Sequence, residues 1–150
     1  MKKIILASGS PRRKELLAQI GLDFEVIVSD AKEVTTSTHP GKVVKELSGC
    51  KAMAVALMLN EDQKDAVVIG ADTVVAQDDR ILGKPKDEED AFQMLHMLQG
   101  QTHQVYTGVA LRSAEREVVF CERTDVRFAP ISEGELQRYL DEAAFLDKAG

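Results

Sequence analysis

The chain opens on a short apolar run, Ile4-Ile5-Leu6, followed at once by the polar loop Ala7-Ser8-Gly9-Ser10 and a helical pattern. Ser10 is a good N-cap, and Pro11 suits the first helical position, where its missing N–H would have gone unpaired anyway. Leu16, Leu17 and Ile20 are expected to form the buried stripe of this helix before Gly21 stops it. Residues 24–28 alternate as a strand, and 35–40 form a polar loop. Val43, Leu47, Cys50, Ala54, Leu57 and Met58 share one face at about 100° per residue, which predicts a helix over 41–59. The clearest strand is 66–75: its first half is continuously apolar, as in a strand covered on both faces, and Asp72 and Thr73 then interrupt it. Gln77-Asp78-Asp79-Arg80 reads as a turn, and the chain returns as Ile81-Leu82-Gly83-Lys84-Pro85. Asp87 caps a third helix with Glu88, Glu89 and Asp90 in its first turn, Ala91, Met94, Leu95 and Leu98 on its buried face, and Gly100 at its end. A strand over 102–111 is expected to break at Thr107-Gly108, and a second long strand covers 118–128. The capping box from Ser132 to Glu135 opens a last helix containing Leu136, Tyr139 and Leu140. Helices interspersed with strands, followed by a strand-rich second half, predict an α/β fold with a mixed twisted sheet flanked by helices.

Composition narrows what such a fold can do. A length of 150 residues is most simply one domain, and 44% hydrophobic with 29% charged residues is an ordinary soluble composition. Aromatic residues are only 5% and Trp is absent, so stacking platforms for single-stranded nucleic acid are scarce. The net charge of −6 argues further against a nucleic-acid partner, whose affinity comes from clustered Lys and Arg. It leaves room for a small anion in a locally basic pocket. The apolar run at the start is too short for a secretory signal, and no stretch is long enough to cross a membrane. Cys50 and Cys121 are isolated, as expected of reduced thiols in a cytoplasmic protein. His39, His96 and His103 have no zinc-ligand spacing with each other or with the cysteines.

The chemistry concentrates in three places. After the first strand, two hydroxyls, a glycine and the arginines Arg12 and Arg13 surround the free N–H groups of a helix start, a combination suited to phosphate. Arginines in a first turn oppose the helix dipole, so a bound anion would explain a choice that helix stability does not. A solvated helix start, a kinase target or a basic DNA contact are the competing readings of the same stretch. Lys51 falls within the apolar face of the second helix, where it either snorkels to the edge of the core or reaches a cleft at the end of the sheet. Asp72 lies inside an apolar strand and needs a cation, a metal, donors or solvent, unless it only marks a bend or bulge at Gly70. Pro85 biases Lys84 toward an extended backbone and so fixes its direction.

Taken together, Ser8-Gly9-Ser10-Pro11-Arg12-Arg13, Ile69-Gly70-Ala71-Asp72-Thr73-Val74, Leu82-Gly83-Lys84-Pro85, Thr107-Gly108-Val109 and Asp147-Lys148-Ala149-Gly150 closely resemble the Maf family of nucleoside triphosphate pyrophosphatases. The resemblance implies a cytoplasmic enzyme, often a homodimer, with a nucleotide-binding cleft in a fold related to the inosine triphosphate pyrophosphatases. It would cleave a nucleoside triphosphate to the monophosphate and pyrophosphate with Mg²⁺ or Mn²⁺. By position, Asp72 matches the family's general base, and Arg13 and Thr73 match positions tied to substrate choice. Ser8, Arg12, Glu33, Lys51 and Lys84 match other polar residues of the site. In this assignment Ser8, Arg12, Arg13, Lys51, Thr73 and Lys84 bind substrate, and Glu33 with Asp72 holds the metal. The Ala71-Asp72-Thr73 form resembles the dTTP/UTP branch, where the branch acting on 7-methyl-GTP has Ser-Asp-Gln. A pyrophosphatase for methylated guanosine triphosphate and a non-catalytic nucleotide-binding regulator of cell division are the alternatives. The family continues past Asp-Lys-Ala-Gly with a closing segment, so a chain ending at Gly150 is expected to be truncated or naturally shortened, in either case with weaker stability or impaired catalysis. No Gly-Lys-Ser/Thr phosphate loop is present, which argues against γ-phosphate chemistry by that route.

Overall fold

The computed structural model describes residues 3–30, 35–83 and 85–142. Strands β1 (Ile4–Leu6), β2 (Glu25–Val26), β3 (Val67–Gln77), β4 (Arg80–Leu82), β5 (Thr102–Arg112) and β6 (Glu117–Arg127) alternate with helices α1 (Pro11–Gln19), α2 (Pro40–Ala56), α3 (Glu88–Leu98) and α4 (Glu133–Glu142). The described strands form a six-stranded sheet in the order β2-β1-β3-β5-β6, with β4 paired to β3. β1 runs parallel to both β2 and β3, whereas β3 and β4 are antiparallel, so the sheet is mixed as the sequence predicts.

The chain packs as two compact units, each assembled from separated segments: Met1–Ser37, Gly41–Asp72 and Thr107–Glu122 in one, Thr38–Pro40, Thr73–Tyr106 and Arg123–Gly150 in the other. The first unit is built on Ile5, Ala7, Ala52, Val55, Ala66, Val68 and Ala110, with Ile27, Ala56, Leu59 and Val119 packed against them. This core is aliphatic and made largely of small residues, because α2 lies almost in backbone contact with the strands. A Cβ on Gly70 would fall 2.3 Å from the carbonyl oxygen of Ser48, and one on Gly108 would fall 2.3 Å from that of Val44. Gly70 therefore marks a close helix approach, not a bulge, and β5 runs unbroken through Gly108 for the same reason.

The second unit has its own core of Val75, Leu82 and Leu98, with Met94, Val105 and Phe128 against it. Asp87 caps α3 by accepting from the Asp90 N–H at 2.8 Å, and Ser132 caps α4 by accepting from the Glu135 N–H at 3.2 Å. Leu136 and Leu140 bury the inner face of α4. Asp78 and Asp79 take left-handed φ angles of 51° and 63° in the two-residue turn joining β3 to β4, a conformation that Asp tolerates better than most residues.

One expectation for the first helix is corrected. Leu16 and Ile20 are 60% and 68% exposed, and α1 buries none of its residues. Of its predicted stripe only Leu17 is even half-buried.

His103, at the start of β5, is buried with its ring edge-on to Phe128 at a centroid distance of 4.7 Å. Its Nδ1 has no hydrogen-bond partner among the described residues. Burial pulls the imidazole below its ordinary pKa. The unfolded chain thus binds the proton more readily than the folded one, and the stability due to neutral His103 is complete above the ordinary histidine range. It is lost as pH falls through that range toward the lowered folded value. The melting temperature should drop on acidification from about pH 6.5, and His103→Phe should flatten that slope. An unchanged slope in the variant would remove His103 as its cause.

Candidate functional site

Four sequence-predicted residues come together in the first unit, at the ends of β1 and of the β3 segment beside it. β1 stops at Leu6, and the Ala7 N–H still donates to Ile69 of β3 at 2.8 Å, so the following loop starts alongside that strand. Ser10 caps α1 as expected, its Oγ accepting from the Arg13 N–H at 3.4 Å, with Pro11 in the first turn. The chain folds back here because Ser8 Oγ accepts twice: from the Ser10 N–H at 3.2 Å and from the Arg13 guanidinium at 3.0 Å. A hydroxyl has two lone pairs and one proton. Both acceptor positions of this buried serine are thereby used, and its own O–H is left to donate.

Asp72 follows two residues after the glycine on which α2 rests. Its side chain is 13% exposed. Lys51 reaches it from α2, Nζ donating to Oδ1 at 2.9 Å and to the Ala71 carbonyl at 3.3 Å. The ammonium is therefore directed to the middle of β3, where it is 23% exposed. The other carboxylate oxygen, Oδ2, is buried and has no hydrogen-bond partner among the described residues. Burial lowers the pKa of Arg13, the Asp72 carboxylate opposes that shift and Arg12 adds to it. Arg13 and Asp72 therefore lie within electrostatic reach of each other, and Arg12 is the more exposed of the two arginines.

The remaining predicted residues stand differently. Thr73 is the next residue of β3, and strand alternation turns it to the face opposite Asp72. Glu33 and Lys84 lie outside the described residues, as do Asp147, Lys148, Ala149 and Gly150. Gly9 is not demanded by packing, since a Cβ there would meet only Val28 Cγ2 at an ordinary 3.8 Å. No group of three or more His, Cys, Asp or Glu is gathered for a metal among the described residues.

A feature the sequence reading missed is the anchoring of residues 35–37. Glu46 on α2 accepts from the Thr35 hydroxyl, from the Thr36 N–H at 2.9 Å and from the Thr36 hydroxyl at 3.0 Å. These bonds, that of Thr35 first, hold the Glu46 carboxyl below its ordinary pKa. Two consecutive threonines and a glutamate eleven residues away carry no local signal of this pairing.

The arrangement thus offers a buried serine proton, the Arg13 guanidinium reaching that serine from α1 with Arg12 beside it, an ammonium, and a carboxylate oxygen without a partner among the described residues. Cations and donors of this kind gather phosphate oxygens, and a carboxylate can orient water or hold a divalent cation.

Comparison with known proteins agrees with this chemistry. The sequence profile of the Maf-like protein family matches residues 3–150. The dTTP/UTP pyrophosphatase of Bacillus cereus is 50% identical over 100% of this chain and 77% of the relative. That of Bacillus cytotoxicus is 51% identical over the same shares. Among solved structures, the Staphylococcus aureus Ham1 protein superposes with a TM-score of 0.57 at 19% identity, covering 84% of this chain and 71% of that one. A nucleoside-triphosphatase / dITP/XTP pyrophosphatase from Mycobacterium abscessus gives 0.54 at 19% identity, over 86% and 75%. At that identity the two structures speak to the fold alone.

Proposed function

The chain belongs to the Maf family, and we propose that it is a nucleoside triphosphate pyrophosphatase that cleaves dTTP and UTP to the monophosphate and pyrophosphate. Its half-identical relatives carry that activity in their names. The observation that carries the reading is Asp72: a largely buried carboxylate with one oxygen on Lys51 and the other without a partner among the described residues, on the unit that also holds Ser8 and Arg13.

In this mechanism Arg12, Arg13, Lys51 and Lys84 gather the triphosphate, and Ser8 donates its free proton to a phosphate oxygen. Asp72 holds the attacking water and takes its proton as the water oxygen bonds to the α-phosphorus. The bond from that phosphorus to the bridging oxygen breaks, and pyrophosphate leaves with the electron pair. Thr73 is assigned to the choice of a pyrimidine base. The donor set fits a divalent cation such as Mg²⁺ or Mn²⁺, because the open oxygen of Asp72 is a hard ligand of the kind such ions take alongside water and phosphate. Asp72 and Glu33 would hold it, and when bound it neutralises charge developing on the phosphates. The proposal includes a cytoplasmic setting and a homodimer. No helix among the described residues is long and apolar enough to cross a membrane.

The test is pyrophosphate release from dTTP, UTP and 7-methyl-GTP with Mg²⁺ or Mn²⁺. The two pyrimidine nucleotides are expected to be the better substrates. Preference for the methylated purine would overturn the substrate assignment. Tight nucleotide binding without any product would replace the enzyme with a nucleotide-binding regulator.

A further inference from the structure

We propose that Lys51 occupies Asp72 whenever nucleotide is absent, so that the divalent cation enters the site with the triphosphate and not ahead of it. This rests on the reading of Asp72 as a metal-holding carboxylate. The ammonium lies 2.9 Å from Oδ1 and the pair is largely withdrawn from water, with side-chain exposures of 23% and 13%. Attraction between charges so placed is much stronger than between solvated ones. A cation arriving at the open Oδ2 would face that ammonium across a single carboxylate, and like charges at such a separation repel.

The lysine cannot withdraw by moving its helix. α2 is held against β3 and β5 at Gly70 and Gly108, where not even a Cβ would fit, so the Lys51 backbone has a fixed distance to Asp72. Relief must come from the flexible side chain, and an anion is the partner that best replaces a carboxylate for a partly buried ammonium. The triphosphate is that anion. It accepts Lys51, frees both carboxylate oxygens, and brings enough negative charge for the lysine and the divalent cation to coexist. Lys51 is thus a positioning residue in the resting protein and a phosphate ligand in the loaded one. The species that binds productively is the metal–nucleotide complex.

The probe is Mn²⁺ alone, titrated calorimetrically into the nucleotide-free full chain. Lys51→Gln and Lys51→Met should each bind Mn²⁺ roughly tenfold or more tightly than the parent. Lys51→Arg, which keeps the charge, should bind it as weakly as the parent, and Asp72→Asn added to Lys51→Gln should abolish the gain. Two neutral variants, with folding checked by circular dichroism, guard against one that misfolds. Equal Mn²⁺ affinity in the parent and both neutral variants would overturn the inference, as would a gain that survives loss of Asp72. No turnover enters this test. A gain in a chain that hydrolyses nothing leaves the inference standing and removes the enzymatic reading, and hydrolysis without a gain does the reverse.

Discussion

Asp72→Asn should lower the turnover of dTTP by roughly three orders of magnitude while the chain stays folded. Asparagine keeps the shape of the side chain and still offers Lys51 an oxygen, so the 2.9 Å bond to Oδ1 has a neutral successor. What disappears is the negative charge, and with it the capacity of Oδ2 to take a proton or hold a cation. Lys51 and Arg13 both lose the anion they face. Replacing the carboxylate that faces a partly buried ammonium by a neutral amide costs about 1–2 kcal/mol of stability, below the value for a fully buried pair because both side chains retain some solvent. The effect should fall on kcat, since the arginines, Lys51 and Ser8 still bind phosphate. Steady-state pyrophosphate release with a melting curve for each protein separates the two consequences. A kcat within about tenfold of the parent would show that Asp72 is not the residue on which the chemistry turns.

Gly108→Ala is expected to have the largest effect on the fold. The added Cβ would stand 2.3 Å from the Val44 carbonyl oxygen, 2.4 Å from its carbon and 2.9 Å from the Lys45 nitrogen. All three are main-chain atoms of a helix, so no side chain can turn aside to make room. α2 must lift off β5, and with it go contacts of Ala52 and Val55 in a core composed mostly of small side chains. Overpacking of this kind costs about 3 kcal/mol or more, which for a chain of this size lowers the melting temperature by about 10 °C. Because α2 also carries Lys51 and Glu46, hydrolysis should weaken even well below that temperature. Thermal denaturation followed by circular dichroism measures the loss, and a shift of less than about 2 °C would mean that the helix does not rest on this glycine.

Much of the fold can be read from local physics. Caps at Ser10, Asp87 and Ser132 each depend on neighbours three residues away, and all three are as the sequence predicts. Gly21 and Gly100, with φ of 79° and 66°, stop helices for an equally local reason. The errors arise where the cause is distant. Gly70 and Gly108 look like defects in strands because the helix that requires them is remote in sequence. Leu16 and Ile20 form a helical stripe, but periodicity describes a face and not what lies against it. Lys51 allowed two readings, and its bond to Asp72 could not be foreseen because that partner lies 21 residues away. In the candidate site, Ser8, Arg13, Lys51 and Asp72 were visible as residue types suited to phosphate chemistry. The double acceptance by Ser8 and the open oxygen of Asp72 were not, because both depend on which bonds are already taken.

The parallel pairing of β1 with β3 also bears on how the protein is made. Ile4, Ile5 and Leu6 find their partners in Val67, Val68 and Ile69, so the first strand synthesised waits through the whole of α2 for the neighbour that fixes it. Pairing across so long a loop is slow compared with helix formation. On the ribosome, Ser8 and Arg13 therefore wait for Asp72 until β3 emerges. The helix that brings Lys51 cannot seat fully until Gly108 follows. Binding competence arrives late, and a nascent chain halted before β5 would leave α2 resting on β3 at Gly70 without its second support at Gly108.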